Sequence, residues 1–347
     1  MEKQFLKGCN ALGEALVRAG CRFYCGYPIT PVSELLEYMS WRMAQAGGIF
    51  IQVESEIAAV NMVHGAASTG TRSSTASSGP GISLMQEGIS YICGAELPCL
   101  LIDITRDGPG LGGVSPAQTD YFLATRGGGH GPYRTIVLAP SNAQEMINMI
   151  SPAYGLAEKY MMPVLLLADA MLGQAYELVA LPEMEEPPER PAWAICGAGE
   201  GPRHKFPEFF SGEKLNLKLQ EKYQIITQRE RQFEFWGDRC DDLLLVAFGT
   251  TARICKEVVQ KATQEGIHVG LFRPITLYPF PYEELKQAAM KTKKILVVEM
   301  SPGQLIDDVR ITAANLKEIA FYGRLAGIVP TSDEIMNQVR KIVRGGG

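Results

Sequence analysis

Two carboxylates, Glu54 and Glu56, stand between the apolar run 49–53 and the apolar stretch 57–63. A carboxyl group carried into apolar surroundings keeps its proton to higher pH, so a glutamate placed this way can hold or donate a proton near neutrality. The same position also suits a solvated glutamate that complements a helix dipole. Arg106 follows another apolar run, in Asp103-Ile-Thr-Arg-Asp-Gly-Pro-Gly110. Its planar fork matches a substrate carboxylate gripped through two hydrogen bonds, although a surface salt bridge uses the same residue type. Thr30 directly precedes Pro31 in Gly26-Tyr-Pro-Ile-Thr-Pro31. Proline favours the first position of a helix. Thr30 is therefore placed to cap that helix, to offer its hydroxyl to a substrate oxygen at the helix start, or both. Ser77-Ser-Gly-Pro-Gly81 carries two glycines that allow a tight turn and close backbone approach to a ligand, and an ordinary turn has the same composition. His130 lies in Gly127-Gly-Gly-His-Gly131 and is a candidate base, but with four histidines in the chain no spacing pairs it with a partner.

These residues need a scaffold. Strands, most of them apolar, are expected at 21–25, 49–53, 73–76, 99–104, 134–138 and 163–169. Helices are expected from 11 to the stop at Gly20, and at 32–46, 56–67, 82–94 and 143–160. Strands this apolar, separated by helices, indicate a parallel sheet covered on both faces. Ligands in such sheets bind beyond the carboxyl ends of the strands, which is the edge where Thr30, Glu56, Ser78, Gly79, Pro80, Gly81 and Arg106 fall.

Composition shifts at 181, where the segment from Leu181 to Pro191 is rich in proline and glutamate and reads as an extended linker. Residues 192–240 are polar with little periodicity and read as irregular, wrapping over the first unit. A second alternating unit has strands at 243–247, 268–272 and 294–299, and a helix over 252–265 that stops at Gly266. The expected domains are 1–180, a linker and irregular region 181–240, and a smaller α/β domain 241–344, with the terminal glycines frayed.

Composition also excludes several functions. The net charge of −5 and the lack of a Lys/Arg-rich tract argue against nucleic-acid binding. No run reaches the length of a transmembrane helix, and the first residues lack the apolar core of a signal peptide, so a cytoplasmic location is expected. The eight cysteines are scattered, only Cys21 and Cys25 lying close. Zinc sites and iron–sulfur clusters use thiolates at short spacings. Reduced, mostly buried thiols are expected instead, and no metal site. Gly-x-Gly-x-x-Gly and Walker A loops are also absent.

Read in order, Gly26-Tyr-Pro-Ile-Thr-Pro31, Glu54-Ser-Glu-Ile-Ala-Ala59, Val63-His-Gly-Ala66, Ser78-Gly-Pro-Gly81 with Gln86-Glu-Gly88, and Glu96-Leu-Pro98 before Arg106 form a set. The set resembles the pyrimidine-binding chain of the thiamine-diphosphate-dependent 2-oxoacid:ferredoxin oxidoreductases. Gly249-Thr-Thr-Ala252, Phe272-Arg-Pro-Ile-Thr276, Pro279 and Val298-Glu299 resemble the transketolase C-terminal-like domain that follows in this family. Gly127-Gly-Gly-His-Gly131 and Leu172-Gly-Gln174 resemble most the alpha subunit of the branched-chain, 2-oxoisovalerate type. The implied fold is α/β: a parallel-sheet pyrimidine-binding fold followed by the smaller domain.

The resemblance implies roles. Glu56 is expected to hydrogen-bond N1′ of the thiamine aminopyrimidine, Thr30 to contact substrate oxygens and Arg106 to hold the substrate carboxylate. The turn Ser78, Gly79, Pro80, Gly81 is expected to bind the cofactor. The implied reaction is CoA-dependent oxidative decarboxylation of a 2-oxoacid with reduction of ferredoxin. The family's Gly-Asp-Gly with a later Asn, which holds Mg²⁺ and the diphosphate, is missing; the nearest match, Gly237-Asp238, continues into Arg239. A beta subunit is therefore expected to supply Mg²⁺ and the diphosphate half, and a gamma or ferredoxin-like subunit the iron–sulfur clusters. Many relatives carry Arg-Gly-Gly-Pro where this chain has Arg106-Asp107-Gly-Pro109. If Asp107 faces the site it disfavours dicarboxylates such as 2-oxoglutarate. The alternatives are a 2-oxoglutarate- or pyruvate-specific member, a non-catalytic scaffold subunit, and a standalone decarboxylase or transketolase-like enzyme; the missing metal motif argues against the last.

Overall fold

Segments too apolar to leave in water set the architecture. A computed structural model describes residues 3–197 and 212–345. The first half runs β1 (Lys3–Lys7), α1 (Gly8–Arg18), β2 (Phe23–Gly26), α2 (Ser33–Gln45), β3 (Ile49–Gln52), α3 (Glu56–Ser68), β4 (Ser73–Ser77) and α4 (Pro80–Gly94). It continues with β5 (Cys99–Thr105), α5 (Tyr121–Arg126), β6 (Ile136–Leu138), α6 (Ala143–Asn148), α7 (Ile150–Tyr160), β7 (Pro163–Asp169), α8 (Ala170–Gln174) and β8 (Tyr176–Ala180). The second half holds α9 (Gly212–Arg229), β9 (Phe233–Trp236), β10 (Leu243–Val246), α10 (Gly249–Gln264), β11 (Val269–Pro274) and β12 (Thr276–Tyr278). It ends with α11 (Tyr282–Met290), β13 (Lys294–Glu299), α12 (Leu305–Ala313), β14 (Glu318–Gly323) and α13 (Ser332–Arg344).

Seven strands form one sheet in the order β12-β6-β7-β5-β4-β2-β3, parallel except for β12. Every residue of β5 and β7 is buried, as central strands covered on both faces require. One face packs Leu12 and Leu16 of α1, Leu35 and Met39 of α2, and Tyr154 of α7. The other packs Val60 of α3, Met85 and Ile89 of α4 and Tyr121 of α5. That second layer continues into Leu244, Phe272 and Ile295 of the other sheet, so the two units share one apolar core. The other sheet has five strands, β14-β13-β10-β11-β9, parallel but for β9. Its far face is covered by Cys255 and Val259 of α10 with Ile335 and Val339 of α13.

The structure departs from the expectations in four places. Helix 143–160 divides at Met149, because Pro152 has no N–H to give to the carbonyl of Asn148. Residues 212–229, expected to be irregular, form α9. Leu219, Tyr223 and Ile226 of this helix enter the first core, and Lys218 and Lys222 both pair with Glu96. The outer strands β1 and β8 pair antiparallel as a separate ribbon. Finally, β12 leaves the second unit and adds to the first sheet beside β6. Buried Arg273 locks this crossing: Nη2 donates to Glu145 on α6 at 2.6 Å and to the Ala139 carbonyl at 3.1 Å, and Nη1 donates to Glu234 on β9 at 3.0 Å. The expected terminal fraying falls partly on 346–347, outside the described residues. No described helix is long and apolar enough to cross a membrane.

Candidate active site

The adjacent strands β5-β4-β2-β3 deliver four loops to one sheet edge: Arg106 after β5, Ser77 to Gly81 at the end of β4, Thr30 after β2 and Glu56 after β3. The chain builds outward in opposite directions from β2 and β4, which makes a topological switch point, where open α/β sheets form a ligand crevice.

Glu56 is the first residue of α3, whose N-terminus is capped by Ser55 accepting from the Ala58 N–H at 3.3 Å. It is only 5% exposed. Ser77 Oγ donates to Glu56 Oε1 at 3.3 Å, and among the described residues no hydrogen bond reaches Oε2. A Cβ on residue 81 would lie 2.0 Å from Ser77 Oγ and 2.3 Å from Glu56 Oε1. Only glycine lets the start of α4 come this close to the carboxyl group.

Thr30, Gly79 and Arg106 form the second cluster. Arg106 is buried, yet it lines the cleft. Its Nη1 donates to the Thr30 carbonyl and its Nη2 to the Leu111 carbonyl, each at 2.8 Å, while the buried Nε has no partner among the described residues. Gly79, at φ +45°, places its Cβ position 3.7 Å from Arg106 Cγ. Thr30 is exposed and does not cap α2, because the helix begins at Ser33 with Val32 at the N-cap. Ser78 Oγ is buried without a partner among the described residues. The two clusters meet through the Ser77–Gly81 turn. No hydrogen bond joins Glu56 to Arg106.

The cleft has a volume of about 960 Å³. Gly79, Leu84, Arg106 and Asp107 line one side, and Met300, Pro302, Gln304 and Leu325 line the other. Asp107 thus stands in the same cleft as Arg106. The second wall depends on Glu299, whose carboxylate accepts from Ser301 Oγ at 2.7 Å and from the N–H groups of Gln304, Leu305 and Ile306 at 3.0 Å each. Burial pushes this carboxyl up from its ordinary value, against those donors. His130 is exposed and does not line the cleft. Its loop is pinned by Gln86 Oε1, which accepts from the Gly128 N–H at 2.8 Å and from the Tyr133 hydroxyl at 2.9 Å.

Two further residues escape a reading of the sequence. Asp103 is fully buried near the end of β5, and Asp120 lines the cleft beside Arg106. Burial, and then the neighbouring Asp120, hold the Asp103 carboxyl well above its ordinary range. Burial pushes Asp120 up to about 6, against the Gly79 N–H, Asp103 and Arg106, which act to lower it. One signal was readable: a lone carboxylate inside the otherwise apolar or hydroxyl-bearing run Cys-Leu-Leu-Ile-Asp-Ile-Thr.

With this geometry, comparisons with known proteins are informative. Residues 14–194 match the family model for pyruvate flavodoxin/ferredoxin oxidoreductase, thiamine diphosphate-binding. Residues 241–335 match pyruvate:ferredoxin oxidoreductase core domain II. The chain is 43% identical to the ketoisovalerate oxidoreductase subunit VorB of Methanothermobacter marburgensis, over 99% of this chain and 98% of that one. It is 32% identical to the 2-oxoglutarate synthase subunit KorA of the same organism, over 97% of this chain and 98% of that one. Among solved structures, it superposes on the 2-oxoglutarate:ferredoxin oxidoreductase from Magnetococcus marinus with a TM-score of 0.88 and 27% identity. That match covers 99% of this chain and spans 65% of the other. A split-gene transketolase, at 14% identity and a TM-score of 0.60, shares the fold alone. The two matched family segments, the near-full-length identity and the parallel-sheet fold agree: the chain belongs to the 2-oxoacid:ferredoxin oxidoreductase family, as a counterpart of its thiamine-diphosphate-binding subunits.

Proposed function

We propose that this chain is the subunit that holds the aminopyrimidine end of thiamine diphosphate and the substrate's carboxylate in a CoA-dependent 2-oxoacid:ferredoxin oxidoreductase. The observation that carries the reading is Glu56, buried at a helix start, with one oxygen unpaired and a neighbouring position that tolerates only glycine. A cradle that a Cβ would fill, beside an unpaired carboxyl oxygen, suits a flat, hydrogen-bonding ring. Bound there, thiamine diphosphate supplies an electron sink for decarboxylating a 2-oxoacid. Glu56 holds and moves the proton at N1′ of that ring. Arg106 binds the substrate carboxylate, Thr30 orients the substrate oxygens, and the turn from Ser78 through Gly79 and Pro80 to Gly81 seats the ring. Separate chains supply Mg²⁺, the diphosphate contacts and the iron–sulfur clusters, and the complex works in the cytoplasm with ferredoxin. Isolated, the chain is expected to retain little thiamine diphosphate, whereas the assembled complex retains one per site. Equal affinity in a titration of both would sink the two-chain reading.

The substrate is a branched-chain 2-oxoacid of the 2-oxoisovalerate type. Leu84, Met300, Pro302 and Leu325 offer an apolar side chain a matching wall, and Asp107 repels a second carboxylate. The complex is expected to prefer 2-oxoisovalerate to 2-oxoglutarate by roughly 10–100-fold in kcat/KM, the scale of a single mismatched group in a binding pocket. Equal turnover of the two acids would remove Asp107 from any role in selection.

A further inference from the structure

We propose that Asp103 and Asp120 share one proton directly behind Arg106, and that this proton sets the charge with which the arginine meets a substrate carboxylate. Among the described residues no donor reaches Asp103 Oδ1, Asp103 Oδ2 or Asp120 Oδ2. Yet the two side chains lie within hydrogen-bonding range of each other. Two ionised carboxylates are acceptors only, so such a contact holds together when one of them carries a proton. Asp103, sealed inside β5, keeps it. Asp120 stays ionised in the cleft wall it shares with Gly79 and Arg106, where the positive charge of Arg106 favours its charged form.

Among the described residues Arg106 is the one cation lining the cleft. With Asp120, the charged side chains lining the cleft are Arg106 and Asp107; the start of α4 adds Ser83 and the loop before α12 adds Gln304. On the neighbouring strand β7, Asp169 is committed to the N–H groups of Met171 and Leu172. Glu56 lies behind Ser77 and Gly81.

A substrate carboxylate arriving from the cleft at the Arg106 guanidinium is a second anion beside Asp120. Asp120 then takes up one proton from solvent, and gives it back when that charge departs. Binding and protonation are reciprocal. Above pH about 6, where free Asp120 is ionised, KM for the 2-oxoacid therefore rises with pH, approaching tenfold per unit. Below that pH it is flat. This second half rests on the assignment of Arg106 to the substrate carboxylate; the shared proton does not.

The test uses the assembled oxidoreductase. In infrared difference spectra at neutral pH, wild type minus Asp103→Asn is expected to show the carbonyl stretch of a protonated carboxylic acid. Its absence overturns the shared proton. KM for 2-oxoisovalerate is then followed against pH. Asp120→Asn is expected to flatten the profile. Asp103→Asn, which keeps the shape but replaces the acid hydroxyl facing Asp120 with a weaker amide donor, is expected to move the onset of the rise to higher pH. A flat wild-type profile, or an unchanged slope in Asp120→Asn, overturns the coupling to substrate. If instead Arg106 is not the carboxylate ligand, the infrared band persists while KM ignores substitution of Arg106.

Discussion

Glu56→Gln in the assembled complex is expected to slow 2-oxoacid decarboxylation by about 10²–10⁴-fold, the usual range for losing a positioned proton-transfer group. The substitution is close to isosteric. Ser77 Oγ can still donate to the side-chain oxygen it now meets at 3.3 Å, and the close approach of Gly81 is undisturbed. The change removes only the ability to exchange a proton, together with a negative charge at the first turn of α3, worth about 0.3–1 kcal/mol against the helix dipole. A melting curve separates the two effects: the transition moves slightly while turnover collapses. Decarboxylation at close to the wild-type rate would mean that Glu56 is a buried helix-start residue and nothing more.

The second large effect is expected for Arg106→Lys. Arginine has five donors in a rigid fork, and two are already committed to the carbonyls of Thr30 and Leu111. Arg106 thus ties the loop after β2 to the loop after β5 and still lines the cleft with its guanidinium group. Lysine is a compact cation without the fork and cannot brace both loops and a carboxylate together. Each charge-assisted hydrogen bond lost costs about 1.5–3 kcal/mol, so KM is expected to rise on the order of 100-fold, with a smaller fall in kcat. Steady-state kinetics with 2-oxoisovalerate measures the split. An unchanged KM would assign Arg106 to loop bracing alone.

Much of this site is legible because strands of a parallel sheet must be apolar, so a polar residue at the end of an apolar run announces the ligand-facing edge. Thr30, Glu56 and Arg106 are readable for that reason, and β7 and β13 have the expected bounds 163–169 and 294–299. Other features depend on packing that no local pattern carries. Leu219, Tyr223 and Ile226 do have helical spacing, but they form a single narrow stripe in a polar segment, and only contact with the first core makes α9 a helix. The strands β1 and β8 expose much of their length, Phe5 stacking on Tyr176 at the surface, so neither shows the buried run that marks a strand. Thr30 misleads as a cap because the turn at Pro31 and Val32 comes before the helix. Asp120 belongs to the site only because the loop after β5 folds back, Asp107 N–H donating to the Ser115 carbonyl at 3.0 Å, a contact across residues without periodicity.

The crossing of β12 also bears on how the chain is made. A ribosome that has released the first 180 residues has delivered every strand of the large sheet except its outermost one. Until Thr276, Leu277 and Tyr278 emerge, β6 is a bare edge, an invitation to pair with another nascent chain. Residues 181–275 must be synthesised before that edge is covered, so completion of the first sheet waits on a contact of long sequence separation, the kind that forms slowly. The two units that sequence patterns divide so readily are therefore bound together in the order of their assembly, and a fragment ending before the second unit would carry the pyrimidine-side residues on a sheet with an open border.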